Sequence, residues 1–309
     1  MNNEQQVYHK PVLMREVLEY LAIKPGGTYV DVTFGGGGHT RAILESDPSI
    51  QVVSIDWDTV ALEKNTPPLV AQFPDRFSWI WGNFAHLERL LPRVDIQSVD
   101  GILADFGTSQ FQIGNKEGFS FAVDTPLDMR MSGAHFRVTA ADIIASTPEK
   151  ELARIFFEYG EERFSRQIAR AIVAERLVKP IRTTLQLAEL VKRVVPSNPS
   201  IRIHPATRVF QALRIVVNKE LDNIRSFMNG ALHVLKPGGR LVCISFHSLE
   251  DRLVKQFFQE VERGLLPGYE VEIVTSKVVM AQPDELEVNR SSRSARLRAL
   301  EVKKNPNFR

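Results

Sequence analysis

One cysteine in 309 residues leaves no partner for an internal disulfide. That residue, Cys243, lies in the apolar run Leu241-Val242-Cys243-Ile244 and reads as a small buried hydrophobe, which places the chain in a reducing, cytoplasmic setting. No Cys/His cluster has zinc-ligand spacing, so a structural zinc module is excluded. No apolar run approaches the ~20 residues a membrane helix needs. The opening Met1-Asn2-Asn3-Glu4-Gln5-Gln6 has neither the basic nor the apolar region of a secretory signal. There are no internal repeats and no low-complexity segments.

What is present is ordinary globular composition, 43% hydrophobic and 25% charged, enough for one large domain or one domain carrying an insertion. The net charge of +2 conceals a segregation. Residues 160–219 hold 12 Lys and Arg against 4 Asp and Glu, and residues 289–309 hold 7 against 1, which leaves the remainder at −12. Two basic blocks on an acidic chain point to a polyanionic partner, although either block alone could be a solvated face. The second block, Asn289-Arg290-Ser291-Ser292-Arg293-Ser294-Ala295-Arg296-Leu297-Arg298, mixes arginine with short hydroxyls, the side chains that bond phosphate oxygens.

The stretch richest in chemistry is Asp31-Val32-Thr33-Phe34-Gly35-Gly36-Gly37-Gly38-His39. It follows the strand-like Thr28-Tyr29-Val30 and precedes a helical pattern. A strand, a glycine turn and a helix let a ligand lie close against backbone, where a Cβ would intrude. The dinucleotide fingerprint would need glycine at position 40, where this chain has Thr40. Asp31 also opposes a pyrophosphate, which needs amide donors and positive potential. A cationic ligand is the better match, and S-adenosylmethionine carries a sulfonium and an ammonium with no phosphate. Asp56, at the end of Val52-Val53-Ser54-Ile55, stands at the spacing of a ribose-binding acid, a feature common to both cofactor types.

Strand candidates at 28–32, 51–55, 77–81 and 99–104 alternate with helix candidates at 11–22, 38–46, 58–65 and, more weakly, 84–91, which predicts a mostly parallel sheet with helices on both faces. From 139 to 194 the pattern is helical. A linker at 196–200 and a long helical pattern from 206 to 235 follow, then a strand at 240–245 and a helix at 248–262. The simplest organisation is a discontinuous α/β domain, 1–125 with 206–309, interrupted by a helical domain at 126–205. Asp31, Asp56 and Asp105 would then stand at successive strand ends along the carboxyl edge of the sheet, where ligands of such folds bind.

With those residues in view, the chain resembles the bacterial 16S ribosomal RNA cytosine-N4 methyltransferase family of the MraW type. The resemblance runs from Tyr8 to Arg298. It is carried by Asp31–Thr40, Asp105-Phe106-Gly107-Thr108-Ser109 with Gln112, Gly118-Phe119-Ser120-Phe121, Pro126-Leu127-Asp128-Met129-Arg130-Met131 and Tyr159–Arg163. Phe210–Ile215 with Val217-Asn218, Ser245–Arg252 and Arg293–Arg298 complete it. It implies a class I S-adenosylmethionine methyltransferase with a Rossmann-like sheet and an inserted helical substrate-recognition domain. It further implies cofactor contacts at Gly37, Gly38, His39, Asp56, Phe84, Asp105 and Gln112, and a cytidine in the decoding region of the small ribosomal subunit as substrate. Neither a membrane nor an obligatory protein partner is implied.

The N4 amine of cytosine is a poor nucleophile because its lone pair is delocalised into the ring. An acceptor for its N–H groups would localise that pair, and Asp105 is the candidate catalytic residue. The base must also be unstacked, and Phe119, Phe121 or Phe246 could stack on it or simply pack a loop. Phe84 could face an adenine or sit in the core. His247 and Asp251 could serve as a base, but Ser248 and Asp251 have near capping-box spacing, with acids in the first helical turn. Met129-Arg130-Met131 could be a lid, the reading its place in a long loop favours, or a packed turn. The chain departs from the family at Gln110, Phe111, Glu117, Ala145 and Arg290-Ser291. Glu117 bears most on RNA, since a carboxylate near phosphate is unfavourable. A methyltransferase of another nucleic acid and a cofactor-binding assembly factor with little catalysis are the rival readings.

Overall fold

A computed structural model describes residues 11–107, 117–196 and 203–308. The chain divides into two compact units, Met1–Gly107 with Leu221–Arg309, and Thr108–Glu220. In chain order the first stretch holds α1 (Met14–Leu21), β1 (Thr28–Asp31), α2 (Gly38–Ser46), β2 (Gln51–Asp56), α3 (Thr59–Gln72), β3 (Phe77–Trp81), α4 (Leu87–Leu90) and β4 (Val99–Asp105). The helices α5 (Ala140–Ser146), α6 (Glu149–Glu158), α7 (Ser165–Val178), α8 (Thr184–Val194) and α9 (Thr207–Asn218) follow. The chain closes with α10 (Glu220–Val234), β5 (Leu235–Ser245), α11 (Ser248–Glu262), β6 (Glu270–Ile273), α12 (Pro283–Val288) and β7 (Arg296–Lys304).

The sheet has the order β3-β2-β1-β4-β5-β7-β6. The pairs from β3 to β5 are parallel, and β7 runs antiparallel to both β5 and β6. Its central strands are near-continuous Val, Ile and Leu because both faces are covered, as a parallel sheet requires. Val30, Val53, Ile55, Ile102 and Leu241 join one apolar cluster with Phe227 and Phe258, while Tyr29, Val52, Leu103 and Val242 join another with Leu21, Ile43 and Leu62. This is the Rossmann-like architecture expected, and the order reverses from β1 to β4, the switch point at which ligands of such sheets bind.

Three elements differ from expectation. α3 continues to Gln72 although Pro67 and Pro68 lie inside it. Pro67 and Pro68 have no N–H to donate to the carbonyls of Glu63 and Lys64, and both of those residues are exposed to water. The helical pattern from 206 to 235 is broken at Lys219, which adopts φ 49 and caps α9 by donating to the carbonyls of Ile215 and Val216. The block 289–298, read as phosphate contacts, divides: Arg290–Arg293 form a 3-10 turn exposed at Arg290 and Arg293, and from Arg296 the chain is β7, inside the sheet.

The helical unit has its own core. Leu127 and Met129 pack with Phe156, Ile168, Leu187, Val209 and Leu213, so the segment before α5 and the whole of α9 are built into it. Phe121 also packs against this core, and the unit spans Thr108–Glu220, wider than the 126–205 read from sequence. Capping boxes at Thr139/Asp142 and Thr183/Gln186 start α5 and α8.

Candidate cofactor and catalytic site

The parallel register sets the acids of β1, β2 and β4 along one edge. Asp31, Asp56 and Asp105 are each the last residue of their strand. Asp31 is buried and works on the chain itself: it accepts from the Thr33 amide (3.1 Å) and from the Thr40 hydroxyl (2.7 Å). Thr40 also meets Ser54 Oγ at 2.8 Å, which ties the glycine turn to β2. Threonine at the third-glycine position is thus a structural part of the turn.

The four glycines answer different constraints. Gly35 and Gly37 have φ of 50° and 74°, in the left-handed region. A Cβ on Gly37 would meet the Phe34 ring at 2.9 Å, and one on Gly38 would meet Pro11 Cγ at 2.2 Å. Close packing within the chain therefore demands glycine at both. A Cβ on Gly36 would meet nothing within 4 Å, and this glycine is exposed.

Asp56 is buried and accepts from the amides of Gly35 (2.8 Å) and Asp58 (2.8 Å). Burial raises its pKa to about 6 against those two donors. Beyond β3, Asn83 caps a 3-10 turn that presents Phe84. The Phe84 ring lies 5.5 Å from that of Trp57, 6.0 Å from Phe106 and edge-on to Phe227 at 5.6 Å. It is only partly buried, so one part of the ring closes the core while the rest remains accessible.

His39, in the first turn of α2, is buried with Nε2 2.8 Å from the Val12 carbonyl. A carbonyl only accepts, so Nε2 carries the proton. Nδ1 then faces Asp105 Oδ2 at 3.9 Å, too far for a hydrogen bond. Burial holds the imidazole below its ordinary pKa. Asp105 is raised well above the carboxylate range, by burial first and then by Asp31 and Glu250. Its amide donates to Thr33 Oγ1 at 2.7 Å, which fixes the backbone, while its own Oδ1 is buried without a hydrogen-bond partner. An orphaned carboxyl oxygen at the carboxyl edge of the parallel sheet fits a cationic ligand.

The other candidates separate cleanly. His247 is the N-cap of α11 and forms a capping box with Glu250, one residue earlier than the spacing of Ser248 and Asp251 had placed it. Phe121 packs on His204 and Phe210 at 4.6 and 5.0 Å in the helical unit, and Phe246 covers Gly107. Met129 and Met131 are buried, and Asn218 holds the Met129 carbonyl and the Met131 amide at 2.8 and 2.7 Å. That segment is packed as a turn within the helical unit. Gln112 lies outside the described residues, as do Gln110 and Phe111. Sequence reasoning missed Thr33, Thr40 and the Val12 carbonyl; the two threonines flanking the glycines were the available signal.

In the second basic block, Arg298 pairs with Asp251 through two bonds of 2.7 and 3.2 Å, whereas Arg290 and Arg293 are exposed. In the first, Arg176 caps the carbonyls of Ile144 and Thr147, and Arg163, Arg166, Lys179 and Lys192 are exposed. Among the described residues no helix is long and apolar enough to cross a membrane.

The sheet order with its antiparallel β7 is that of a class I methyltransferase, and the methylase family it falls in makes S-adenosylmethionine its cofactor. The model of the MraW methylase family matches residues 6–303, and the chain belongs to that family. It is 47% identical over 305 residues to ribosomal RNA small subunit methyltransferase H of Carboxydothermus hydrogenoformans, covering 95% of this chain and 97% of that one. To the protein of the same name from Syntrophotalea carbinolica it is 50% identical over 307 residues, covering 94% and 97%.

Proposed function

We propose that this enzyme methylates ribosomal RNA of the small subunit, at N4 of a cytidine in the decoding region. The near full-length identity to relatives named for small-subunit methylation supports the RNA class. The observation that carries the chemistry is the partnerless Oδ1 of Asp105 at the end of β4.

The bound cofactor supplies an electrophilic methyl group. Gly36 leaves room for it, Asp56 offers its carboxylate to ribose hydroxyls, and the accessible part of Phe84 offers an apolar face to adenine. Desolvation and the neighbouring acids Asp31 and Glu250 raise the Asp105 carboxyl, and a cation set against it favours the carboxylate. As carboxylate it accepts a hydrogen bond from the N4 amine, which localises the nitrogen lone pair for attack. The methylated amine is acidic and sheds its proton to water, so no strong base is required. Arg290, Arg293 and the exposed cations of α7 and α8 supply positive charge for phosphate.

The test is methyl transfer to small subunits from a strain lacking this activity, to naked ribosomal RNA and to duplex DNA, with the modified base located by mass spectrometry. Labelled N4-methylcytidine in subunits alone is the expected result. Transfer to DNA would assign another nucleic acid, and cofactor binding without transfer to any of the three would leave an assembly factor.

A further inference from the structure

The peptide unit between Val12 and Leu13 is gripped at both ends. Its carbonyl accepts from His39 Nε2 at 2.8 Å, and its N–H donates to Glu285 Oε1 at 2.8 Å. Ser292 donates its hydroxyl to the same Glu285 oxygen. Leu13 sits in the left-handed conformation at φ 52, where a side chain is strained, so this peptide plane is held by its bonds and not by local preference. A carboxylate on the N–H of an amide polarises it and makes its carbonyl a stronger acceptor. The stronger carbonyl in turn fixes the imidazole proton on Nε2 and leaves the Nδ1 lone pair toward Asp105.

We propose that Glu285 is a positioning residue for the cofactor pocket, holding the His39 ring in its Nε2-protonated form, with Nδ1 facing Asp105, through the single peptide unit Val12–Leu13. Glu285 lies on α12, remote in sequence from the glycine turn, and the same short segment leads through Ser292 to the exposed Arg290 and Arg293. The charged groups facing the ring are Asp31 from β1, Asp105 from β4 and Glu285 from α12. The proposal rests on the cofactor reading of this pocket.

Two variants of the full chain test it, Glu285→Gln and Ser292→Ala. The readouts are the His39 ring-nitrogen NMR shifts across pH in the free protein and the Kd of S-adenosylhomocysteine by calorimetry. Glu285→Gln keeps an oxygen for the Leu13 amide but removes the charge. It lowers the His39 titration midpoint, moves the two ring-nitrogen shifts toward each other as the tautomers mix, and weakens binding about tenfold, the size of one net hydrogen bond lost. Ser292→Ala frees the carboxylate to act on Leu13 alone and moves the midpoint upward. Opposite signs from the two variants distinguish charge transmission from general damage, and Ser292→Ala alone decides the matter if Glu285→Gln does not fold. Unchanged ring shifts and unchanged Kd in folded variants would overturn the proposal. A chain that binds no S-adenosylhomocysteine in any form would overturn the cofactor reading instead, and the ring shifts would still decide the role of Glu285.

Discussion

The Gly35 amide donates to Asp56 Oδ2 at 2.8 Å, so the glycine turn after β1 is fastened to the carboxyl end of β2 by the acid proposed to hold ribose. One carboxylate both shapes the turn and faces the ligand. Its burial carries a pH consequence. The folded pKa of Asp56 is about 6 against 3.8 for the free group. An acid raised on folding favours the fold while protonated. That contribution is complete below about pH 4 and is lost as pH rises through 6, a change on the order of 3 kcal/mol. Denaturant unfolding of the free protein at several pH values should show a shallower fall in stability between about pH 4 and 6 in Asp56→Asn than in the wild type. A carboxyl-carbon NMR titration should place the Asp56 midpoint near 6.

Much of this edge is legible from sequence because it is local. β1, β2 and β4 are short stretches of mostly buried residues that each stop at an aspartate, and a parallel sheet aligns those stops. What is not legible is tertiary. Asp105 comes within 3.9 Å of His39 from 66 residues away only because β4 pairs beside β1. The break at Lys219 has no glycine or proline to mark it; Asn218 has turned its side chain to Met129 and Met131 instead of continuing the helix surface. β7 is hidden in the sequence because its arginines resemble phosphate ligands, although Arg296 to Val302 alternates in the manner of a strand and Arg298 finds its acid on α11.

The glycines of the turn separate fold from function. Gly38→Ala must displace Pro11, and overpacking of that kind costs about 1–3 kcal/mol. Gly36→Ala meets no atom of the chain. The expected result is a lowered Tm for Gly38→Ala and a wild-type Tm with weakened S-adenosylhomocysteine binding for Gly36→Ala. Equal affinity in Gly36→Ala and wild type would remove the ligand from the face of that glycine.

Asp105→Asn tests the acceptor role. Asparagine keeps the shape and one carbonyl oxygen but cannot supply a charge to the N4 amine. Turnover at saturating cofactor should fall roughly 10²–10³-fold, the cost of deleting a charge-placing group. Wild-type kcat in Asp105→Asn would refute the role, whatever happened to cofactor affinity.

The arginines of the second basic block divide in the same way. Arg298 and Asp251 form a two-bonded pair with side chains 14% and 19% exposed, and it joins β7 to α11. Breaking a largely buried pair leaves its partner uncompensated, so Arg298→Ala should destabilise by about 2–4 kcal/mol with little change in the salt dependence of RNA binding. Arg290 and Arg293 are exposed at the turn before β7. Replacing both with serine should leave Tm unchanged and weaken binding to a small-subunit RNA fragment. The slope of log K against log salt should become shallower by about 0.7–0.9 for each phosphate that is no longer neutralised. Filter binding from low to moderate salt measures this directly. An unchanged slope in the Arg290/Arg293 variant would leave the exposed cations of α7 and α8 to account for RNA binding, and the turn before β7 would then serve the fold alone.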